Sequence, residues 1–267
     1  MIFVCDVNPV RHIRRPWVTW GLMAASVAAT LAVWLGPPGL GVLVLEREHL
    51  LHPALLTHAL LHLDLLHLVG NLLVLAAFGD NVEDAMGHAR FLVFVAASAA
   101  LSAEAQFLVD PATQALVGAS GIGAALISAY LVLHPRAHVA VWLRLAWPPA
   151  PAFFPAGLVV GGWIGLNLAS ALLQPDAPVA WWAHIAGFGA GLVMVLFLRR
   201  SDVPLLQPPQ PVDELLPRLS PATGWLLRAG TYSRTERTAL ESLAGRSFWA
   251  SALLFVVLML AGELLFG

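Results

Sequence analysis

Val117-Gly118-Ala119-Ser120-Gly121-Ile122-Gly123 opens an apolar run of membrane length that continues to His134-Pro135. A hydroxyl with no partner is costly in hydrocarbon, so Ser120 calls for an explanation in a neighbouring helix. The nearest candidate is His184, in Ala183-His184-Ile185-Ala186-Gly187-Phe188-Gly189-Ala190-Gly191, the only ionisable residue inside its own apolar run. If the two runs pack as helices, serine and imidazole can meet as nucleophile and general base.

The chain around them has the texture of a membrane protein. Of 267 residues, 59% are hydrophobic and 11% charged, with a mean hydropathy of +0.78. Soluble domains carry about a quarter charged residues. The fold class that follows is all-α, a polytopic membrane protein, with room for six or seven spans of about 20 residues each. Cys5 is the single cysteine, which excludes an intrachain disulfide and a cysteine metal site. No cofactor, metal or nucleic-acid partner is expected; the lipid bilayer is the evident partner.

Residues 1–16 carry Arg11, Arg14 and Arg15 and precede Trp17 to Leu35, an uncharged run too long for a signal-peptide core of about 7 to 15 residues. Gly36 to Leu63, broken by Pro37, Pro38, Pro53 and several charges, reads as a partly interfacial loop. Asp64 is placed to cap the second helix, which runs from Leu65 into the 80s; Glu83 and Asp84 at its end read as a solvated loop. The third run is Phe91 to Leu108. The fourth begins near Val117 and stops at His134-Pro135, where proline breaks the helix. A turn-rich link from Arg136 to Pro155 leads to the fifth run, Ala156 to Leu173, and the sixth is Val179 to Leu198. The expected division is a cytoplasmic N-terminal segment 1–16, a six-helix membrane domain 17–200, a cytoplasmic proline-rich linker 201–246 of low order in its first half, and a seventh transmembrane helix 247–267.

All fourteen basic residues are arginine, and counted from a cytoplasmic N-terminus only Arg47 falls outside. Basic residues collect on the cytoplasmic side, which orients the chain. The second, fourth and sixth helices then start on the outer side, with His67, Asn71, Ser120 and His184 all within about two turns of those starts at about 1.5 Å per residue. His67 and Asn71, four apart, share a face. Gly118 and Gly121 flank Ser120, and Gly187 and Gly191 lie on the stripe of His184, where small residues let backbones approach in lipid. Acyl transfer needs a base for the serine and donors for the oxyanion. His184 fits the first; Asn71, the His67 ring N–H and the Ser120 backbone N–H fit the second. Neither Asp176 nor Glu104 lies on a matching face, so the residues predict a Ser-His dyad rather than a triad.

These stretches resemble the rhomboid family of intramembrane serine proteases. Gly118-Ala119-Ser120-Gly121 matches its GxSG motif, Ala183-His184 with Gly187 and Gly191 its AHxxGxxxG helix, and His58, His62, His67 and Asn71 its HxxxHxxxxHxxxN signature. The likeness covers residues 15–200. It implies a six-helix rhomboid-like bundle plus a C-terminal seventh transmembrane helix, with Ser120 and His184 as the catalytic dyad in a water-filled cavity and His67 and Asn71 in the oxyanion hole. It also implies single-span membrane proteins as substrates, no cofactor, and the fifth helix as a lateral gate. The expected localisation is multi-pass in a bacterial cell inner membrane, with the N-terminus cytoplasmic and the site opening outward. Two positions depart from common members. Ala124 stands where an aromatic often stacks on the histidine, and Pro53-Ala54 stands where a Trp-Arg pair is often found.

Blander readings compete. A serine among glycines commonly bonds the carbonyl one turn back. His184 alone suits a proton relay in a small transporter. A non-catalytic rhomboid-like protein that binds membrane clients is the nearest rival, though both reacting residues are retained. His58 and His67, nine residues apart, are poorly placed for a shared zinc, so His58 and His62 read as hydrogen-bonding residues of the first loop. Glu48-His49-Leu50-Leu51-His52 reverses the HExxH order. Trp181 and Trp182 read as interface anchors.

Overall fold

The computed structural model describes residues 3–6, 8, 10–36, 43–49, 53–142, 151–174 and 179–208. The expected seventh helix, 247–267, and the linker beyond 208 lie outside the described residues. In chain order the elements are β1 (Phe3–Asp6), α1 (Trp17–Leu35), β2 (Leu45–Glu46), α2 (Ala54–Thr57), α3 (Leu65–Met86), α4 (His88–Val109), β3 (Ala115–Leu116), α5 (Ser120–Leu133), β4 (His138–Trp142), β5 (Pro151–Pro155), α6 (Ala156–Leu173) and α7 (Trp181–Leu198). Five of the helices, α1, α3, α4, α6 and α7, have the length and apolarity to cross a membrane. The chain is a mostly helical, multi-pass integral membrane protein.

Its contacts divide into two units. One comprises Val10–Val132 with Gly165–Pro204 and holds most of the helices. Here α1 packs on α3 so tightly that a Cβ on Gly79 would sit 2.7 Å from Thr19 Cγ2. Helix α3 starts where Asp64 accepts from His67 N at 2.8 Å, the capping expected of an aspartate three residues ahead. It ends at Gly87, whose φ of +78° few other residues adopt.

Glu83 and Asp84 depart from the expected solvated loop, because α3 runs through them to Met86. Glu83 is fully buried. Its carboxylate accepts from Val18 N at 3.0 Å, Thr19 N at 2.8 Å and Thr19 Oγ1 at 2.7 Å, and it pairs with His88 Nδ1 at 2.6 Å. Helix α1 has Pro16 at its N-cap and no side-chain cap of its own, so its unpaired N–H groups need an outside acceptor. Glu83 supplies that acceptor, at the end where the helix dipole favours negative charge. Asp84 does the same for the preceding segment, accepting from Arg11 N at 3.0 Å and Ile13 N at 2.8 Å.

Helix α5 differs from its neighbours. Every residue from Gly121 to Tyr130 is buried, and its 14 residues span about 21 Å at about 1.5 Å each. A hydrocarbon core is about 30 Å thick, so α5 cannot reach both faces. A helix wrapped by other helices does not have to.

The second unit contains residues 133–164 with the described parts of segments 1–9 and 205–208. Its strands form an antiparallel sheet in the order β1-β4-β5, with Phe3 opposite Trp142 and His138 opposite Pro155. The turn-rich link expected over 136–155 thus contains two strands. Val139 and Val141 suit a strand, and Pro151 and Pro155 sit at the ends of β5, where a missing N–H is tolerated.

Candidate active site

Ser120 owes its position to the loop before it. β2 pairs with β3, placing Leu45 opposite Leu116, and Leu45, Ala54, Ala103, Phe107 and Leu116 form a buried apolar cluster. Arg47 extends the clamp, donating to the carbonyls of Thr113 at 3.0 Å and Asp110 at 2.6 Å. Gly118 N then donates to the carbonyl of His58 at 3.0 Å. Its φ of +114° is a conformation that glycine adopts without strain. The helix begins at once, with Gly123 N bonded to Ala119 O at 2.8 Å. The N–H groups of Ser120 and Gly121 are therefore among the first-turn donors that the helix itself does not use.

Helix α7, which carries His184, packs against α5. A Cβ on Gly187 would overlap the carbonyl oxygen of Gly121, and one on Gly191 would overlap that of Ala125. The two backbones touch along a glycine stripe that starts beside Ser120 and one turn after His184. Ser120, Gly121 and Ala183 line one small cavity together with His58, Ser102 and Gly118. His184 is buried, and its Nδ1 lies 2.9 Å from Asn167 Oδ1 on α6. The structure therefore juxtaposes the two helices. The ring's hydrogen bond, however, runs to Asn167 and not to Ser120.

His67 is also at the site, because a Cβ on Gly118 would meet its Cε1 at 2.7 Å and its Nε2 at 2.8 Å. Asn71 is buried one turn on, and its Nδ2 donates to His67 O at 3.0 Å. That bond uses one of its two amide hydrogens. The four predicted residues thus fall on three helices, with His67 against the loop that ends at Gly118.

The remaining histidines of the signature lie in the first loop. His58 Nδ1 donates to Ala54 O at 3.0 Å, and His62 Nδ1 lies 3.3 Å from Thr30 Oγ1, consistent with hydrogen-bonding roles. The His62 ring meets the His67 ring edge-on at 5.0 Å. Burial lowers the pKa of His58. Burial first, and then the neighbouring His67, push His62 down to about 4. Both rings are therefore neutral near pH 7.

Three residues escaped the sequence reading. Asn167 is the first, the amide that meets the His184 ring. Gln106 is the second. It is buried, its Oε1 accepts from Ala183 N at 3.1 Å, and its Nε2 donates to Asp110 Oδ2 and Thr113 Oγ1. Ala180, the N-cap of α7, offers no side-chain cap, so Gln106 caps the histidine helix from α4. The third is Ser102, whose buried Oγ has no partner among the described residues and faces Gly121. A polar residue in an otherwise apolar run was the available signal for Gln106 and Asn167, since such residues in lipid need partners. Trp181, expected to be an interface anchor, also meets the His184 ring edge-on at 5.9 Å.

A family model described as Rhomboid domain matches residues 51–201, a stretch that includes all four predicted site residues. No curated protein matches the chain.

Proposed function

The chain belongs to the rhomboid family, a family of intramembrane serine proteases that also has inactive members, and from that premise we propose that it is an active endopeptidase cleaving single-span membrane proteins in or near their transmembrane segment. Ser120 is the nucleophile and His184 the general base, with His67, Asn71 and the Ser120 N–H as oxyanion donors. The observation that carries this reading is the glycine contact between α5 and α7, which puts the helix of Ser120 against the helix of His184.

The chemistry follows from the parts. Nε2 of His184 takes the Ser120 proton as Oγ adds to the scissile carbonyl. The oxyanion forms at the start of α5, where free N–H groups and the helix dipole favour negative charge. His67, set against Gly118, adds a side-chain donor. Helix α5 is too short to span, which leaves the nucleophile below the membrane rim but within reach of water entering from that side. With the N-terminus cytoplasmic, that side is the outer one, and a bacterial inner membrane fits the plan.

The test is cleavage of a model single-span substrate in proteoliposomes, together with labelling by a serine-directed fluorophosphonate. Ser120→Ala and His184→Ala should each abolish both while the protein still accumulates. Full activity in either variant would refute the dyad. A wild-type protein that binds the substrate but neither cleaves nor labels would point to a client-binding member.

A further inference from the structure

We propose that Asn167 is the positioning residue of this site, an amide third member that sets the tautomer and ring plane of His184; the inference rests on the protease reading above. Asn167 Oδ1 and His184 Nδ1 are 2.9 Å apart and both residues are buried. An amide oxygen only accepts, so Nδ1 carries the proton and Nε2 presents its lone pair. That is the tautomer a general base needs, and a free imidazole does not hold it unaided.

The surroundings make the role specific. Asn167, Ser170 and Ala171 are buried while Leu168 and Leu172 are exposed, so Asn167 lies on the inward stripe of α6. A buried amide in a membrane helix is costly without partners, and its oxygen finds one in the imidazole. From α5 there is little room for a brace. Ala124 is fully buried, and its Cβ would lie 3.0 Å from a Cβ on Gly187. A ring at 124 would displace α7. The remaining contacts on the imidazole include the edge of Trp181 and the oxygen of Asn167. An amide is also the acceptor best tolerated here, because a carboxylate without a counter-charge is far more expensive to bury.

During the reaction Oδ1 faces Nδ1–H throughout. The Ser120 proton passes to Nε2 as the Oγ–C bond forms, and the carbonyl π pair moves onto oxygen. The resulting imidazolium is stabilised by the amide dipole. Nε2–H then protonates the leaving amine as the C–N bond breaks, and water repeats the cycle on the ester to release the acid and restore the serine.

The experiment combines kinetics with nitrogen NMR of labelled histidine in the full-length protein. Asn167→Leu should lower kcat about ten- to a hundred-fold with KM nearly unchanged, less than the about 10⁴ lost with a charged third member. It should also move the His184 signal from the Nδ1–H towards the Nε2–H tautomer. Asn167→Gln, which keeps an amide acceptor, should retain the Nδ1–H signature and recover part of kcat. An Asn167→Leu enzyme within about twofold of wild type in kcat, cleaving in a Ser120-dependent way, ends the inference and leaves the protease reading standing. Should Asn167→Leu fail to fold, the wild-type spectrum decides, because an Nε2–H tautomer there overturns the proposal. Wild-type protein without Ser120-dependent cleavage ends both.

Discussion

Gly187 of α7 lies against the carbonyl oxygen of Gly121 on α5 so closely that a β-carbon at 187 would overlap it. The contact is backbone to backbone, and neither partner can rotate out of the way. The close spacing of the two helices depends on the absence of a methyl group here, as it does at Gly191 against Ala125.

Gly187→Ala should therefore cost about 1–3 kcal/mol of stability through overpacking. It should reduce cleavage more steeply, because a misplacement of about 1 Å between reacting groups can cost about 10²-fold. Gly189→Ala is the control, since a Cβ there meets nothing within 4 Å. Thermal unfolding in detergent and kcat on the same samples separate the two effects; equal behaviour of the two variants would argue against the close-contact account.

The oxyanion assignment predicts graded losses. Removing one preorganised donor typically costs about 2.7–4 kcal/mol of barrier, so His67→Ala and Asn71→Ala should both lower kcat while leaving activity above that of Ser120→Ala. Asn71 should have the smaller effect, since one of its amide hydrogens is already held by His67 O. KM close to wild type in both is the signature of a group acting on the transition state.

Glu83→Ala should destabilise the protein without touching the site. It would orphan Val18 N, Thr19 N and Thr19 Oγ1, and an unsatisfied buried donor costs about 1–3 kcal/mol. Glu83→Gln keeps an acceptor and should lose less. A melting temperature in detergent that is unmoved by Glu83→Ala would contradict trans-capping of α1.

Acid should weaken the fold through the first loop. The folded-state value of His62, about 4, lies below the ordinary imidazole value of about 6.5. Between those two values the unfolded chain binds the extra proton, so stability falls as pH drops from 6.5 towards 4 and this residue adds no slope above 6.5. His58, shifted the same way by burial, adds to the trend. Asp64 and the backbone carbonyl of Leu60 oppose it on His62 but do not outweigh burial. His62→Asn should flatten the slope of melting temperature against pH over that window.

Much of this architecture was legible in advance where the governing physics is local. The bounds of α1 and α6 followed from uncharged runs between prolines and charges, and Asp64 marked the start of α3 through its cap. The strand at 151–155 was hidden because its prolines read as turns, and that at 138–142 because its pairing with Phe3–Asp6 is a contact across more than a hundred residues. The role of Glu83 is hidden for a related reason. A carboxylate in a polar stretch looks solvated until the uncapped end of α1 is seen beside it.

The sequence by itself determined that this is a membrane protein with a serine and a histidine on separate helices, because hydropathy, arginine placement and glycine spacing act along the chain. Only the tertiary structure decided what the histidine and its helix bond to: Gln106 capping the histidine helix from α4, and Asn167 meeting the ring from α6. An amide's partner is chosen by packing between helices, and no periodicity within a single helix encodes which neighbour it will meet.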